Sequence, residues 1–141
     1  IMQREVIKMS DIKSVLKMER LVFDKIFFER KGFKTDSTSN YTIQTRIQQN
    51  IDQEIYRVTL TLNGEKDKEY TFEIALTGYF SFDEESELDE TQKNELIAKN
   101  TVAIMMPYMR SQVTLLTSQP ETESVVLPAF NINNLLSEDK E

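Results

Sequence analysis

The stretch TVAIMMPYMRSQVTLLTSQP, Thr101 to Pro120, decides how this chain folds. At helical spacing, Val102, Ile104, Met105, Met109, Val113 and Leu116 cover well over half of a helix's circumference. A helix that covers one sheet needs only a single apolar stripe. Asn100-Thr101 offers a cap for its start and Pro120 ends it. Pro107 falls inside, where it removes one backbone hydrogen bond, so the helix is expected to bend or to start late, near Met105. One sheet can cover one side of such a belt. The other side calls for another surface, and a second subunit would supply it.

The sheet is read from the sequence before this helix. From Leu16 to Phe28, Leu16, Met18, Val22, Ile26 and Phe28 share one parity, while Leu21, Phe23 and Phe27 share the other. A strand from about Lys17 to Arg30 follows, apolar on both faces. The polar run Gly32–Asn40 is a loop. Tyr41, Ile43, Thr45 and Ile47 then alternate with Thr42, Gln44, Arg46 and Gln48, the pattern of a half-buried antiparallel strand. After a turn at Gln49–Gln53, Tyr56, Val58, Leu60 and Leu62 mark a third strand. Asn63-Gly64 signals a hairpin turn whose charged tip is Glu65–Lys68. Glu69 to Phe82 is the longest strand, with Gly78 marking a bulge or a close backbone approach.

The acidic run Asp83–Glu90 suits a helix N-terminus and a helix over Thr91–Lys99. It lacks the central glycine and the register of a calcium loop. Ser10-Asp11 offers a helix cap within an N-terminal extension, residues 1–16, ahead of the first strand. Pro128 breaks any strand through Val125–Phe130, Asn133–Leu136 reads as a short terminal helix, and 137–141 as a frayed tail. With 141 residues, one domain is expected.

Composition excludes several classes of function. There is no Cys and no His, so disulfides, imidazole or thiolate zinc sites and Ser-His or Cys-His catalysis are ruled out. A net charge of −7 repels nucleic acid and anionic lipid. No window is long and apolar enough to cross a bilayer, and the N-terminus has no signal-peptide core. These features fit a soluble, cytoplasmic chain that neither binds nucleic acid nor inserts into a membrane. Glu73 is the only acid set among strand apolars, and it has no evident catalytic partner, so no enzyme and no cofactor is expected.

Five pieces in order carry a resemblance. They are Ile55–Leu60, Phe72-Glu73-Ile74, Gly78–Phe82, Pro107-Tyr108-Met109-Arg110-Ser111 inside the apolar helix, and Leu127–Ile132 ahead of a Leu-Leu pair. Over roughly residues 17–136 the chain resembles the SecB family of export chaperones and its SecB-like relatives. The resemblance implies an α+β fold: a four-stranded antiparallel sheet with a long helix on one face, a short terminal helix, and a homotetramer built as a dimer of dimers. It places the helix at the subunit interface, where Ile104, Tyr108, Ser111, Gln112 and Leu115 would meet a neighbour.

It also implies an ATP-independent holdase for unfolded polypeptides. Six Met, eight Phe and five Tyr beside a −7 charge suit adaptable binding that stays in solution. By family position, the client groove would take Tyr41, Ile43 and Ile47 from the second strand. Met105 and Met109 would come from the helix, and Phe130, Ile132, Leu135 and Leu136 from the tail. SecB docks the motor SecA through acidic residues on its outer sheet face, and Glu29 and Glu73 match such positions. Lys25 stands at a third with the opposite charge, and the short tail lacks the motor-binding extension, so the SecA contact is in question. Other SecB-like proteins serve one client, typically an antitoxin. That role, and a structural oligomer or adaptor without holdase activity, stay open as alternatives.

Overall fold

The computed structural model describes residues 16–50, 54–83 and 87–128. Strands β1 (Leu16–Arg30), β2 (Ser39–Asn50), β3 (Ile55–Lys66) and β4 (Tyr70–Phe82) make one antiparallel sheet in the order β1-β4-β3-β2. A helix of 28 residues follows. Its parts are α1 (Glu90–Leu96), a π-helical turn (Ile97–Thr101) and α2 (Val102–Thr117). Four antiparallel strands and one long helix are what the resemblance implies. The cap at Ser10-Asp11, the turn at 51–53, the terminal helix at Asn133–Leu136 and the tail 137–141 lie outside the described residues.

Period-two alternation places Tyr56, Val58, Leu60 and Leu62 of β3 and Tyr70, Phe72, Ile74, Leu76 and Phe80 of β4 on one buried face. Ile97, Val102, Met105, Met109 and Val113 of the helix close over it, with Leu127 from the chain beyond. The sheet's other face is polar and rich in threonine.

β1 departs from simple alternation. Its register against β4 shifts between Met18 and Arg20, and again between Phe23 and Lys25. Each shift is a bulge of one residue, and each exchanges the two faces of the strand. The pairs Leu16/Met18, Leu21/Phe23 and Ile26/Phe28 therefore all face the helix, although they differ in parity. Val22 and Phe27, placed by parity alone on opposite faces, share the polar face. The bulged residues turn outward too: Glu19 accepts a hydrogen bond from Ser81 at 2.7 Å, and Asp24 accepts one from Thr77.

Asn63-Gly64 does not form the hairpin turn. β3 runs through it to Lys66, and the turn is Asp67-Lys68-Glu69, with Lys68 at φ 64 and the Glu69 N–H bonded to the Lys66 carbonyl at 3.0 Å. Gly64 is small because Phe72 stands opposite and lays its ring over it; a Cβ there would overlap that ring. Gly78 likewise marks no bulge in β4. It makes room for the Phe80 ring and the Met105 sulfur, so the close approach comes from side chains rather than from another backbone.

The link at residues 31–38 crosses the end of the sheet from β1 to β2, past the β3–β4 turn. A buried carboxylate fastens it. Glu69 is 0% exposed, pairs with Lys66 at 3.3 Å and accepts the Thr35 N–H at 2.7 Å, while its carbonyl accepts the N–H groups of Lys31 and Gly32. Burial pushes the Glu69 carboxyl up. The Thr35 amide, the Lys66 ammonium and the Arg30 charge outweigh that and hold it below the usual carboxylate range.

The helix starts well before Met105. Asp89 caps it: its side chain accepts the Gln92 N–H at 2.8 Å, and the Gln92 side chain accepts the Asp89 N–H at 3.1 Å. Asn100 and Thr101 cap nothing. Both sit within the helix and donate to the Leu96 and Ile97 carbonyls one turn back, so the π turn joins the two expected helices into one. Pro107 lies inside the helix on its exposed side, and, having no N–H, it withholds one helical hydrogen bond there.

Candidate functional site

The helix lies mainly over β3 and β4, the two central strands. The helix-side rows of the edge strands β1 and β2 are therefore only partly covered. Along β2, Tyr41, Ile43, Thr45 and Ile47 stand opposite Gly64, Leu62, Leu60 and Val58. The Tyr41 ring sits 6.2 Å from that of Phe72, Ile43 is half-buried and Ile47 is 40% exposed. Thr45 Oγ1, in the middle of this row, has no hydrogen-bond partner among the described residues. The result is a shallow apolar ledge along a strand whose outer edge pairs with no other strand of the sheet. An extended polypeptide can add its backbone to such an edge and lay alternate side chains on the ledge.

The helix residues expected in the groove lie elsewhere. Met105 and Met109 are 0% and 1% exposed and pack in the core under the helix. Phe130, Ile132, Leu135 and Leu136 lie outside the described residues. A second ledge, absent from the sequence reading, runs along β1, where Met18 and Ile26 face the helix side at 39% and 47% exposure. The signal for it is the pair of bulges, which a constant parity cannot detect.

On α2, Ile104, Tyr108, Ser111, Gln112 and Leu115 fall in one stripe, exposed at Tyr108, Ser111 and Leu115, while Ile104 is half-buried against the core. Tyr108 is 46% exposed and Leu115 68%. Beside this stripe the chain after the helix folds back. Thr114 donates to the Val125 carbonyl at 2.9 Å, and the Val125 N–H donates to Thr117 Oγ1 at 2.8 Å. A groove of about 600 Å³ between Pro107, Arg110, Leu115 and Val126 is left open.

Glu29 and Glu73 both lie on the polar face of the sheet. Lys25 pairs with Glu73 at 3.1 Å, so the residue of opposite sign neutralises one of the two acids. Among the described residues no three acids cluster to hold a metal, and no helix is long and apolar enough to cross a membrane.

One antiparallel sheet in this strand order, with a single long helix across its centre, is the SecB-like fold. The particular likeness is to Mycobacterium tuberculosis Rv1957, a SecB-like chaperone solved in complex with a ChAD peptide from the Rv1956 HigA1 antitoxin. That structure superposes with a TM-score of 0.71 over 86% of this chain and 95% of its own, at 11% sequence identity. A Streptococcus agalactiae protein of unknown function covers 81% of this chain and 97% of its own at 11% identity, with a TM-score of 0.39. No family profile matches the sequence. No curated protein matches it either.

Proposed function

We propose that this chain is an ATP-independent chaperone that holds extended, apolar polypeptide segments along β2. The observation that carries this reading is the half-covered row Tyr41, Ile43 and Ile47 on an edge that pairs with no other strand among the described residues, within a SecB-like fold. The row supplies apolar area, and the edge, which pairs with no other strand among the described residues, offers backbone groups to an added strand, which together suit a chain of almost any sequence. No chemical step is involved.

The preferred client relation is a dedicated one. The similar chaperone Rv1957 is solved with an antitoxin peptide. On the outer face, the Lys25–Glu73 pair removes part of the negative charge that docking to SecA would need. General export is the second use of the same groove. A homotetramer, with Ile104, Tyr108, Ser111, Gln112 and Leu115 at the subunit contact, completes the reading.

The test is a titration of a labelled unfolded polypeptide against the wild-type protein and the Ile43→Asp/Ile47→Asp variant, with circular dichroism as the control for folding. Each isoleucine is worth about 1.5–3 kcal/mol when fully buried, so the variant is expected to bind at least about tenfold more weakly. Equal affinity would remove β2 from the site.

A further inference from the structure

The polar face of the sheet plays no part in holding a client on β2, yet its charges are ordered. The strand register arranges them in rows. Arg20, Tyr79, Arg57 and Gln48 form one row, and Val22, Thr77, Thr59 and Arg46 form the next. At the far end, Phe27 and Glu73 share a row with Asn63, and Glu29 and Glu65 flank Thr71. Arginines thus gather at one end of the face, where the one nearby glutamate, Glu19, is committed to Ser81 and Lys17, and Glu29, Glu65 and Glu73 lie toward the other. None of Arg20, Arg46 and Arg57 takes part in an ion pair or hydrogen bond among the described residues. In a chain of net charge −7, three guanidinium groups on one face with no ion pair among the described residues are a local reversal of sign.

Two of them, Arg46 and Arg57, border an open depression of about 830 Å³ that also takes in Thr59, Thr77, Tyr79 and Asp24. Its floor is a chain of hydroxyls. Thr77 donates to the Asp24 carboxylate, and Thr59 Oγ1 lies 3.1 Å from Thr77 Oγ1. With the Thr77 proton committed to Asp24, Thr59 must donate to Thr77, and what Thr59 offers a ligand is a lone pair. The depression therefore combines free cationic donors with an acceptor and one fixed carboxylate.

We propose that this face docks an acidic polypeptide segment of a partner, with its carboxylates on Arg46 and Arg57. A bare polyanion such as RNA or polyphosphate gains from the arginines but meets Asp24 and oxygen lone pairs on the floor. A polypeptide brings backbone N–H groups that those acceptors satisfy. Arg46 and Arg57 are diagonal neighbours across β2 and β3, a separation of about 7–8 Å. Carboxylates at alternate positions of an extended chain are about 6.8 Å apart, so the preferred segment is Glu-x-Glu or Asp-x-Asp. The proposal does not depend on the β2 reading.

The experiment is fluorescence anisotropy with the full chain and labelled TETETETE, together with a TKTKTKTK control. The wild type is expected to bind the glutamate peptide and not the lysine peptide. Arg46→Glu/Arg57→Glu should weaken that binding at least about tenfold, because paired charge-assisted contacts are lost, and Arg46→Lys/Arg57→Lys should lose less. Binding of an unfolded client at β2 should be the same in all three proteins. The proposal is overturned if the wild type fails to bind the glutamate peptide at about 1 mM, the weak end of specific recognition. It is also overturned by equal affinity in the Glu variant, or by polyphosphate binding more tightly than the peptide.

Discussion

Glu69 holds the β1–β2 link in place, and its chemistry sets a pH dependence. It is fully buried against Lys66 and Thr35, with its carboxyl held below the usual range of about 4.3. A carboxyl lowered in the folded state adds stability above its unfolded value and loses it as pH falls through the folded one. The thermal midpoint of the wild type should therefore drop below about pH 4.5. Glu69→Gln leaves Lys66 buried without a counter-charge, which costs about 3 kcal/mol at pH 7. That gap should narrow as the wild-type carboxyl protonates, and a constant gap across pH would reject the assignment. Gly64 makes a second point. A methyl group there meets the buried Phe72 ring, so Gly64→Ala should cost about 1–3 kcal/mol by urea unfolding. In a double-mutant cycle, Phe72→Leu should recover part of that cost; strict additivity would show that the ring is not the cause. Neither role is visible in sequence. Asn63-Gly64 looks like a turn because that pair tolerates positive φ, whereas here the glycine is needed for space and the positive φ belongs to Lys68.

At the scale of elements, the strands that alternate cleanly are legible. The half-buried pattern of β2 and the long run of β4 follow from period two, because one face of each meets the core and the other does not. β1 is legible as a strand but not as a surface. The bulges at Glu19 and Asp24 move Val22 and Phe27 to the polar face and create the Met18/Ile26 ledge, and only pairing to β4 reveals them. The helix shows the same limit. Local signals at Asn100-Thr101 favour a fresh start, but burial of Ile97, Thr101 and Val102 on the sheet carries the helix straight through. Its N-terminal cap is Asp89. Asp89→Ala should lower stability by about 1 kcal/mol and fray the first turn, seen as reduced helical ellipticity and a lower urea midpoint. An unchanged midpoint would mean that Gln92 and the acidic first turn suffice.

For the molecule as a whole, the exposed stripe on α2 and the ledge on β2 have separate consequences. The belt read from Thr101–Pro120 is half core, through Met105, Met106, Met109 and Val113, and half surface, through Tyr108 and Leu115. If that surface is the subunit contact, light scattering should give a mass above the 16.5 kDa of one chain, and Leu115→Glu should reduce it. A wild-type mass of 16.5 kDa would reject the oligomer. The groove was legible only in part. On β2, Tyr41 and Ile43 are half-buried and Ile47 is exposed, whereas Met105 and Met109 belong to the core, since the helix lies over the central strands. As proposed, this ledge captures unfolded chains without chemistry or nucleotide. Its most direct test is light scattering from a denatured client diluted into buffer free of ATP, with and without the wild-type protein. The account predicts that the protein keeps the client dispersed at stoichiometric amounts; aggregation that proceeds equally fast in its presence would contradict it.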